Sequence, residues 1–440
     1  MTANHELPKS AELNERLHAM IPGGAHTYAK GSDQYPEGLE PVISHGRGAH
    51  VWDVDGNRYV EYGSGLKAVT LGHAHPRVLA AVRRELDRGS NFVRPSVLEA
   101  IAAERFLATV PTAEMVKFAK NGSDVTTAAV RLARAATGRK LVALCHDQPF
   151  FSTDDWFVAT TPMSAGIPDE VASLTVTFPY GDLAATEELL RQHPDDIACL
   201  VLEPAALREP PPGYLQGLRR LCDRYGCLLV FDEMITGFRW SASGAQGLYG
   251  VVPDLSTFGK ALGNGFAVSA LAGKRDVMEL GGLRDHRERV FLLSTTHGGE
   301  THSLAAAVAV MDVYAEEDVV GNMHALGERL AAGVQEVTDA HGVSDHLVVK
   351  GRPCALVFAT LDENRQPSQQ YRTLFMRQLI SNGVIGPSFV VSNALSHDDI
   401  DRTVEAVAQA CVVYRKALDA GDPTPWMGGR SIKPVFRRYA

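Results

Sequence analysis

Short runs of apolar residues recur through the middle of the chain, each four to seven residues long. Several of them are apolar at successive positions, without the alternation that marks a strand with one face in water. Strands buried on both faces have this pattern, and they are typical of a parallel sheet covered by helices. The runs predicted as strands are Met115–Ala119, Leu141–Cys145, Ile197–Leu202, Leu228–Phe231 and Ala267–Gly273.

The segment between the third and fourth of these strands has the period of an amphipathic helix. Leu215, Leu218 and Cys222 form one apolar stripe within Tyr214–Tyr225, and Gly226 follows as the expected C-terminal stop. A strand, a helix and a second strand in this order form a βαβ unit. Repeated units of this kind predict an α/β fold with a mainly parallel central sheet and helices on both of its faces.

The last quarter of the chain has a different order of elements. A strand-like run over 346–361 precedes a helix near Tyr371–Ile380, a strand near Ser388–Ser392, and a final helix that Ser396 and Asp399 cap. We therefore predict a smaller α+β domain to which both termini contribute. The expected layout is an N-terminal segment of that domain over 1–60, a large domain over 61–325, and the C-terminal small domain over 326–440.

Composition and charge narrow the class of protein. The 440 residues are 45% hydrophobic and 22% charged, with 40 Gly and 23 Pro, which excludes collagen-like, coiled-coil and wholly disordered chains. The 43 basic and 52 acidic residues leave a net charge of −9, which argues against a general nucleic-acid-binding protein. We expect no membrane partner either, because no apolar run approaches the roughly 20 residues that span a bilayer.

The six cysteines form no CxxC pair and no zinc-binding Cys/His spacing. Four of them lie within apolar segments, so we expect buried free thiols in a reducing cytoplasm. Residues 1–20 lack the basic and then apolar order of a secretory signal, which agrees with a cytoplasmic location. His73 and His75 have no carboxylate or thiol partner at ligand spacing, so we predict structural histidines and no metal site.

Two predicted strands end at residues that could act in catalysis. Asp232 ends an apolar strand, and α/β proteins build their sites at that edge, although two solvated acids would give the same pattern. Lys260 follows a second strand and precedes glycines, where an ordinary surface lysine is the alternative. Together they bring an amine and a carboxylate to one sheet edge. Pyridoxal phosphate (PLP) chemistry needs a lysine for a Schiff base and an acid that keeps the pyridine nitrogen protonated.

A glycine turn after the first predicted strand is suited to a phosphate. The run from Lys120 to Asp124 follows the strand and begins a helix that ends at Gly138. Gly122 lets the backbone approach an anion closely, and the free N–H groups of the first helical turn can bind it. The alternative is an N-capped helix with Ser123 or Asp124 as its cap, and the sequence leaves both open.

Four segments in this order resemble those of the class III aminotransferases, which are fold-type I PLP-dependent enzymes. The resemblance extends from about residue 20 to about residue 410. Within the family, Pro22-Gly23-Gly24 and FDEMITGFR resemble the glutamate-1-semialdehyde 2,1-aminomutases and their relatives. The four segments are VWDVDGNRYVEYGSGLKAVTLGHAHPRV at 51–78, KNGSDVTTAAVRLARAATGR at 120–139, FDEMITGFRW at 231–240 and PDLSTFGKALGNG at 253–265.

The resemblance implies a role for each matching residue. Lys260 would bond to the cofactor and then carry a proton between substrate and cofactor, and Asp232 would pair with the pyridinium nitrogen. Because the family's threonine reaches the phosphate of the neighbouring subunit, a homodimer with shared active sites is also implied. The other implied cofactor-binding residues are Gly122 and Ser123 at the phosphate, Ile235 or Met234 beside the ring, Glu203 near the ring hydroxyl and Thr296 in the neighbouring subunit.

Two positions depart from the family pattern. The family usually has Tyr-His-Gly after the second strand, whereas here Phe150 takes the place of the tyrosine and Phe151 that of the histidine. A phenylalanine stacks on a ring face but donates no hydrogen bond. Gly181 stands where relatives usually have Asn-Asp, so it lacks a side chain that would support the region of Glu203. These departures bear on specificity more than on activity.

The residues after the PGG motif bear on the substrate. Lys30 lies near the place of the aminomutase arginine that binds a carboxylate, and Leu66 replaces the aminomutase tryptophan. Lysine is a point charge, whereas arginine is a planar fork suited to carboxylates. We infer that the protein is not the haem-pathway aminomutase. His26, Tyr28 and Lys30 suit a hydroxylated or amino-bearing substrate such as an oxidised amino sugar or aminocyclitol, and an ordinary exposed segment is the alternative.

Three functions remain open at this point. An aminotransferase moves an amino group from an amine donor to a carbonyl substrate. An isomerase, either an aminomutase or an epimerase, uses the same residues without net exchange of nitrogen, so the motifs do not separate the two. The third is a PLP-fold protein that only binds or senses, and the presence of Asp232, Lys260, Gly122, Ser123 and Thr296 together argues against it.

Overall fold

The structure is a computed structural model that describes residues 7–148, 150–205 and 207–439. Residues 1–6 therefore lie outside the described residues. They begin both the predicted N-terminal segment over 1–60 and the stretch over 1–20 that was compared with a secretory signal. The chain divides into two compact units. The first lies within Met1–Leu66, Thr70–His75 and Gly321–Ala440, and the second comprises Lys67–Val69 and Pro76–Val320.

The predicted domain layout over 1–60, 61–325 and 326–440 stays a prediction. The strands are β1 (Ile43–Arg47), β2 (His50–Asp53), β3 (Arg58–Glu61), β4 (Met115–Ala119), β5 (Leu141–Cys145), β6 (Thr175–Phe178), β7 (Ile197–Leu202), β8 (Leu228–Asp232), β9 (Leu255–Phe258), β10 (Ser269–Gly273), β11 (Leu347–Lys350), β12 (Ala355–Thr360), β13 (Val384–Ile385) and β14 (Phe389–Val390). The helices are α1 (Pro8–Met20), α2 (Ser64–Lys67, a single turn), α3 (Pro76–Leu86), α4 (Val97–Thr109), α5 (Gly122–Thr137), α6 (Asp155–Val158), α7 (Asp169–Ala172), α8 (Leu183–Gln192), α9 (Tyr214–Tyr225), α10 (Gly244–Tyr249), α11 (Arg275–Met278), α12 (Thr301–Glu316), α13 (Val319–Ala340), α14 (Gln369–Ser381), α15 (His397–Ala420) and α16 (Thr424–Met427).

A seven-stranded sheet forms the centre of the second unit, in the order β4-β10-β9-β8-β7-β5-β6. Neighbouring strands from β9 to β6 are parallel, and β10 is antiparallel to both β9 and β4. All side chains of β5 and β7 are buried, as a sheet covered on both faces requires. The predicted α/β class with a mainly parallel central sheet is confirmed.

The predicted βαβ unit is present between β7 and β8. Leu215, Leu218 and Cys222 of α9 are buried in one core cluster with side chains of β5, β7 and β8. Gly226 ends the helix in the left-handed conformation, with φ of 64°, which glycine adopts without the steric cost of a Cβ atom.

The first unit contains two small sheets and the terminal helices. In one sheet the order is β1-β2-β3-β13, and β13 pairs in parallel with β3, so chain segments far apart in sequence share a sheet. The run over 346–361 forms two strands, β11 and β12, rather than one, and β12 also pairs with β14. Ser396 and Asp399 form the predicted capping box of α15. The smaller α+β part built from both ends of the chain is confirmed.

The structure also bears on the cysteines, on His73 and on membrane spans. All six cysteines are free and buried, as predicted. His73 Nε2 lies 3.2 Å from Glu61 Oε2, and this pair gives the histidine a structural role in the first unit. Across the described ranges, every helix is too short or too polar to cross a bilayer.

Candidate active site

The candidate site lies where three parallel strands of the central sheet end. β7, β8 and β9 are neighbours, so Glu203 after β7, Asp232 at the end of β8 and Lys260 after β9 reach the same edge. The charge of Lys260 acts on both carboxyl groups, and the charge of Asp232 acts on Glu203. The structure therefore brings together three of the residues that the sequence singled out.

Asp232 is a carboxylate held inside the protein. Its Oδ1 atom accepts hydrogen bonds from the Met234 N–H at 2.9 Å and from the Thr257 hydroxyl at 3.2 Å. Thr257 lies directly opposite Asp232 in the sheet register, which explains the second bond. Burial raises the pKa of Asp232 from 3.8 to about 6, while Lys260 and the two hydrogen bonds oppose that rise. A buried carboxylate so placed can pair with a cationic group.

Lys260 occupies a strained and well-defined turn. It has φ of 45°, in the left-handed region, and begins a short 3-10 turn that ends at Gly263. A Cβ atom on the preceding Gly259 would lie 2.7 Å from Met234 Sδ, so any larger residue there would displace the side chain of Met234. Strain of this kind is characteristic of functional sites, where the surrounding structure holds an uncommon conformation.

Glu203 is buried and fixed through its backbone. The Gln148 amide donates to the Glu203 carbonyl at 2.6 Å and accepts from the Glu203 N–H at 2.7 Å. The Tyr180 hydroxyl donates to the Pro204 carbonyl at 2.9 Å. Burial raises the pKa of Glu203 to about 7, and the charge of Asp232 adds to that rise. These contacts supply the support that Gly181 was expected to remove.

Gln148 and Tyr180 have no role that the sequence alone predicted. Gln148 lies beside the aligned Phe150, and its burial next to a glutamate backbone has no signal in a single sequence. Tyr180 directly precedes Gly181, which departs from the family pattern. That departure is the one feature of the sequence that pointed to this region.

The glycine turn begins α5, and its cap differs from both candidates considered from the sequence. Asn121 is the N-cap, and Asp124 completes a capping box by accepting from the Asn121 N–H at 3.0 Å. Ser123 instead accepts a hydrogen bond from the Thr153 N–H at 3.0 Å. A Cβ atom on Gly122 would lie 3.0 Å from Met234 Sδ, so Met234 packs against both Gly122 and Gly259.

Met234 therefore joins the glycine turn to the Lys260 turn, and it is largely buried. The neighbouring Ile235 is partly buried, and its predicted place beside the cofactor ring stays a prediction. Of the two aromatic candidates, Phe151 is buried, and its carbonyl accepts from the Thr126 hydroxyl at 2.9 Å. Phe150 is 45% exposed and packs edge-to-face with Phe157 at 5.4 Å between ring centroids, and its predicted place against the cofactor ring stays a prediction.

Thr296 lies in an exposed loop beside an apolar surface. Its carbonyl accepts from the Asn91 side chain at 3.0 Å. Phe92, Val93 and Val97, which follow Asn91 in the chain, are all more than half exposed. Large apolar side chains exposed close together in the chain are a candidate for an interaction surface.

The residues predicted to contact substrate lie in the first unit. His26, Tyr28 and Lys30 are exposed, and the last two belong to a short 3-10 turn. Leu66 is partly buried and has φ of 61°. Their contact with substrate stays a prediction.

Comparisons with known proteins agree with the geometry. The sequence model of the family described as "Aminotransferase class-III" matches residues 32–410. The chain is 34% identical over 431 residues to a glutamate-1-semialdehyde 2,1-aminomutase of Syntrophobacter fumaroxidans, covering 92% of this chain and 97% of that protein.

Two solved structures share the fold along nearly their whole length. The FumI protein of Sphingopyxis sp. MTA144, in its PLP internal aldimine form, has a TM-score of 0.86 at 25% identity, covering 95% of this chain and 99% of that chain. An omega-transaminase from Sphaerobacter thermophilus has a TM-score of 0.83 at 28% identity, covering 92% of this chain and 98% of that chain.

Proposed function

We propose, since this chain belongs to the class III aminotransferase family, that it moves an amino group from an amine donor to a carbonyl substrate. It is a PLP-dependent enzyme of fold type I, and the family contains both aminotransferases and aminomutases. The observation that carries the proposal is the buried Asp232 at one sheet edge with Lys260 and Glu203.

The residues at this edge fit PLP in their chemistry. The glycine turn leaves free N–H groups at the start of α5, where an anion is favoured, and Gly122 has no side chain to block it. The buried Asp232 supplies the acid that a pyridine nitrogen requires. Bound PLP supplies an aldehyde that bonds to amines and a ring that accepts electrons from the adjacent carbon.

In this proposal each side chain has one task. Lys260 provides the amine that bonds to the cofactor and then moves a proton to and from the substrate carbon. Asp232 holds the proton on the ring nitrogen, and its isolation from water strengthens that pairing. Gly122 and Ser123 would hold the phosphate, Phe150 and Ile235 would pack against the ring, and Glu203 would lie near the ring hydroxyl.

We further propose a homodimer in which Thr296 reaches the phosphate site of the second copy. The exposed Phe92, Val93 and Val97, joined to the Thr296 loop through Asn91, support this arrangement. The apolar side chains would be covered by the same surface of the second copy, as in an isologous contact.

The acceptor that we propose is an oxidised amino sugar or aminocyclitol, contacted by His26, Tyr28, Lys30 and Leu66. What supports this is the exposure of the first three, which offer an imidazole, a phenol and an amine to a polar substrate. We also propose that the enzyme works in the cytoplasm, because its six cysteines are buried free thiols.

An isomerase on the same scaffold is the second candidate, and the 34% identity to an aminomutase favours it. An aminomutase or epimerase would use Lys260 and Asp232 in the same way but release no keto acid.

A donor-by-acceptor screen monitored by mass tests the proposal, with amino sugars both as substrates and as products. An aminotransferase forms the keto acid of its donor in step with the aminated acceptor, whereas an isomerase converts one compound without it. The Lys260→Ala variant should lose turnover and the shift in visible absorbance that accompanies the bond between the lysine and the cofactor. Wild-type activity in that variant would show that the lysine is assigned wrongly.

A further inference from the structure

Lys67 is a further charged residue whose charge acts on Glu203 of the candidate site. It ends α2, a turn in which the non-glycine residues Ser64, Leu66 and Lys67 have φ of 46°, 61° and 68°. Such residues rarely adopt left-handed angles, and runs of them persist where the surrounding structure fixes them. Here the guanidinium of Arg239 donates to the Lys67 carbonyl at 2.9 Å, and Arg239 is completely buried.

The side chain of Lys67 shares one cluster of charges with the catalytic candidates. Its charge acts on Glu203, and the charges of Lys260 and Arg239 act on Lys67. Burial lowers the pKa of Lys67 to about 8, Glu203 opposes that change, and Lys260 and Arg239 add to it. Lys67 is therefore protonated at neutral pH but is a less stable cation than a lysine in water.

The other cations near this edge already have tasks. Lys120 forms an ion pair with Glu300 and donates to the Ser303 hydroxyl at 2.8 Å. Arg239 is buried and holds the Lys67 backbone. Lys260 is the amine that the proposed function assigns to the cofactor. Lys67 is partly exposed, and its charge remains for a substrate.

An amino acid donor carries its carboxylate on the carbon that bears the amine. When that amine reaches Lys260, the carboxylate is attached to the same carbon as the amine. Lys67, whose charge interacts with that of Lys260 and whose backbone Arg239 holds, is a cation able to bind such a carboxylate. We propose that Lys67 binds the carboxylate of an α-amino acid donor and so determines which amines the enzyme accepts. This inference rests on the proposed function. Without substrate, the charge of Lys67 is balanced by Glu203.

The test compares holoenzyme variants on matched donors. The best α-amino acid donor is found in a screen, and its partner is the same molecule without the carboxylate, for example ethylamine for alanine. In Lys67→Met, kcat/KM for the amino acid should fall about 10- to 100-fold, mostly through KM, since a hydrogen bond to a charged group is lost. The amine without a carboxylate should change by less than about threefold, and Lys67→Arg should keep most of the activity.

Two further measurements separate binding from folding. Lys140→Met, at an exposed position before β5, is the matched control and should change neither donor. Glutarate, a dicarboxylate without an amine, is titrated into the holoenzyme by calorimetry, and we expect binding at least about tenfold weaker in Lys67→Met. In the wild type, glutarate affinity should fall as the pH rises past the pKa of Lys67, about 8.

Each contrary result has a distinct meaning. The role of Lys67 would be overturned if Lys67→Met lowered kcat/KM equally for both donors. It would also be overturned if glutarate affinity changed neither with pH nor in Lys67→Met. A wild-type enzyme that uses amines but no α-amino acid would overturn it too, while the proposed function would stand. A wild-type protein that converts no amine at all would overturn the proposed function, and glutarate binding would still test Lys67.

Discussion

Replacing Asp232 by asparagine should stabilise the cofactor-free protein while it weakens the binding of PLP. Asparagine has the shape of aspartate, and its oxygen can still accept the bonds from the Met234 N–H and the Thr257 hydroxyl. What it removes is a buried negative charge. Functional sites often carry such costs, because the group is arranged for its ligand rather than for the empty fold.

The magnitude follows from the pKa of Asp232. Burial raises the folded-state pKa from 3.8 to about 6, and the difference corresponds to about 3 kcal/mol at 1.36 kcal/mol per pKa unit. Because the folded-state pKa is the higher one, ionisation disfavours the folded form. Stability should be lost as the pH rises from about 4 to about 6, and the loss should be complete above that range. The gain from Asp232→Asn should reach about 3 kcal/mol at pH 7.5 and vanish below about pH 4.

Urea unfolding of the cofactor-free protein at several pH values measures this gain. Asp254→Asn is a matched control with the opposite sign. Asp254 lies 2.7 Å from the Arg219 guanidinium and 2.6 Å from the Lys274 ammonium, and bonds to these groups hold its pKa below the ordinary value. That variant should be less stable at pH 7.5, with the difference shrinking in acid.

A lower free energy of unfolding for Asp232→Asn at pH 7.5 would refute the claim that the buried charge of Asp232 destabilises the cofactor-free protein. A gain that stayed the same at pH 4 would refute it equally, because the cause would then not be the buried charge. Cofactor affinity, measured by absorbance titration, is a separate readout and should fall in this variant.

Three further predictions concern packing, support and assembly. Gly259→Ala should lower the free energy of unfolding in urea by about 1–3 kcal/mol, because its Cβ would lie 2.7 Å from Met234 Sδ. Adding Met234→Ala to the same chain should recover part of that loss. If it recovers nothing, the clash is with another group. Gln148→Leu should lower the free energy of unfolding by about 2–4 kcal/mol and lower kcat, since it leaves the buried N–H and carbonyl of Glu203 without partners. Unchanged stability and activity would show that other groups hold this glutamate. For the proposed homodimer, Val93→Asp should shift the protein from dimer to monomer in sedimentation. A wild-type protein that sediments as a monomer would overturn the proposed dimer, and a variant that stays dimeric would exclude this surface.

Local patterns were sufficient for the elements of the central sheet. β4, β5 and β7 and the helix α9 have the bounds that the sequence predicted. For β5 and β7 the reason is that burial on both faces leaves a continuous apolar run, and for α9 it is the helical spacing of its apolar stripe. β1, β2 and β3 were not predicted, since these short strands are stabilised by pairing with one another and with β13, more than 300 residues later. A single short run carries too little information to reveal partners at that distance.

The sequence by itself determined the fold class, the family and the positions of Asp232, Glu203 and Lys260 at strand ends, because strand order and motif spacing are local properties of the chain. Only the tertiary structure decided what surrounds these groups. Gln148 follows β5, and Lys67 ends the single turn α2, and nothing in the local sequence shows that either residue acts on Glu203. Their effects depend on distance and burial. Electrostatic and hydrogen-bond energies are set by those two quantities, and a linear sequence contains neither.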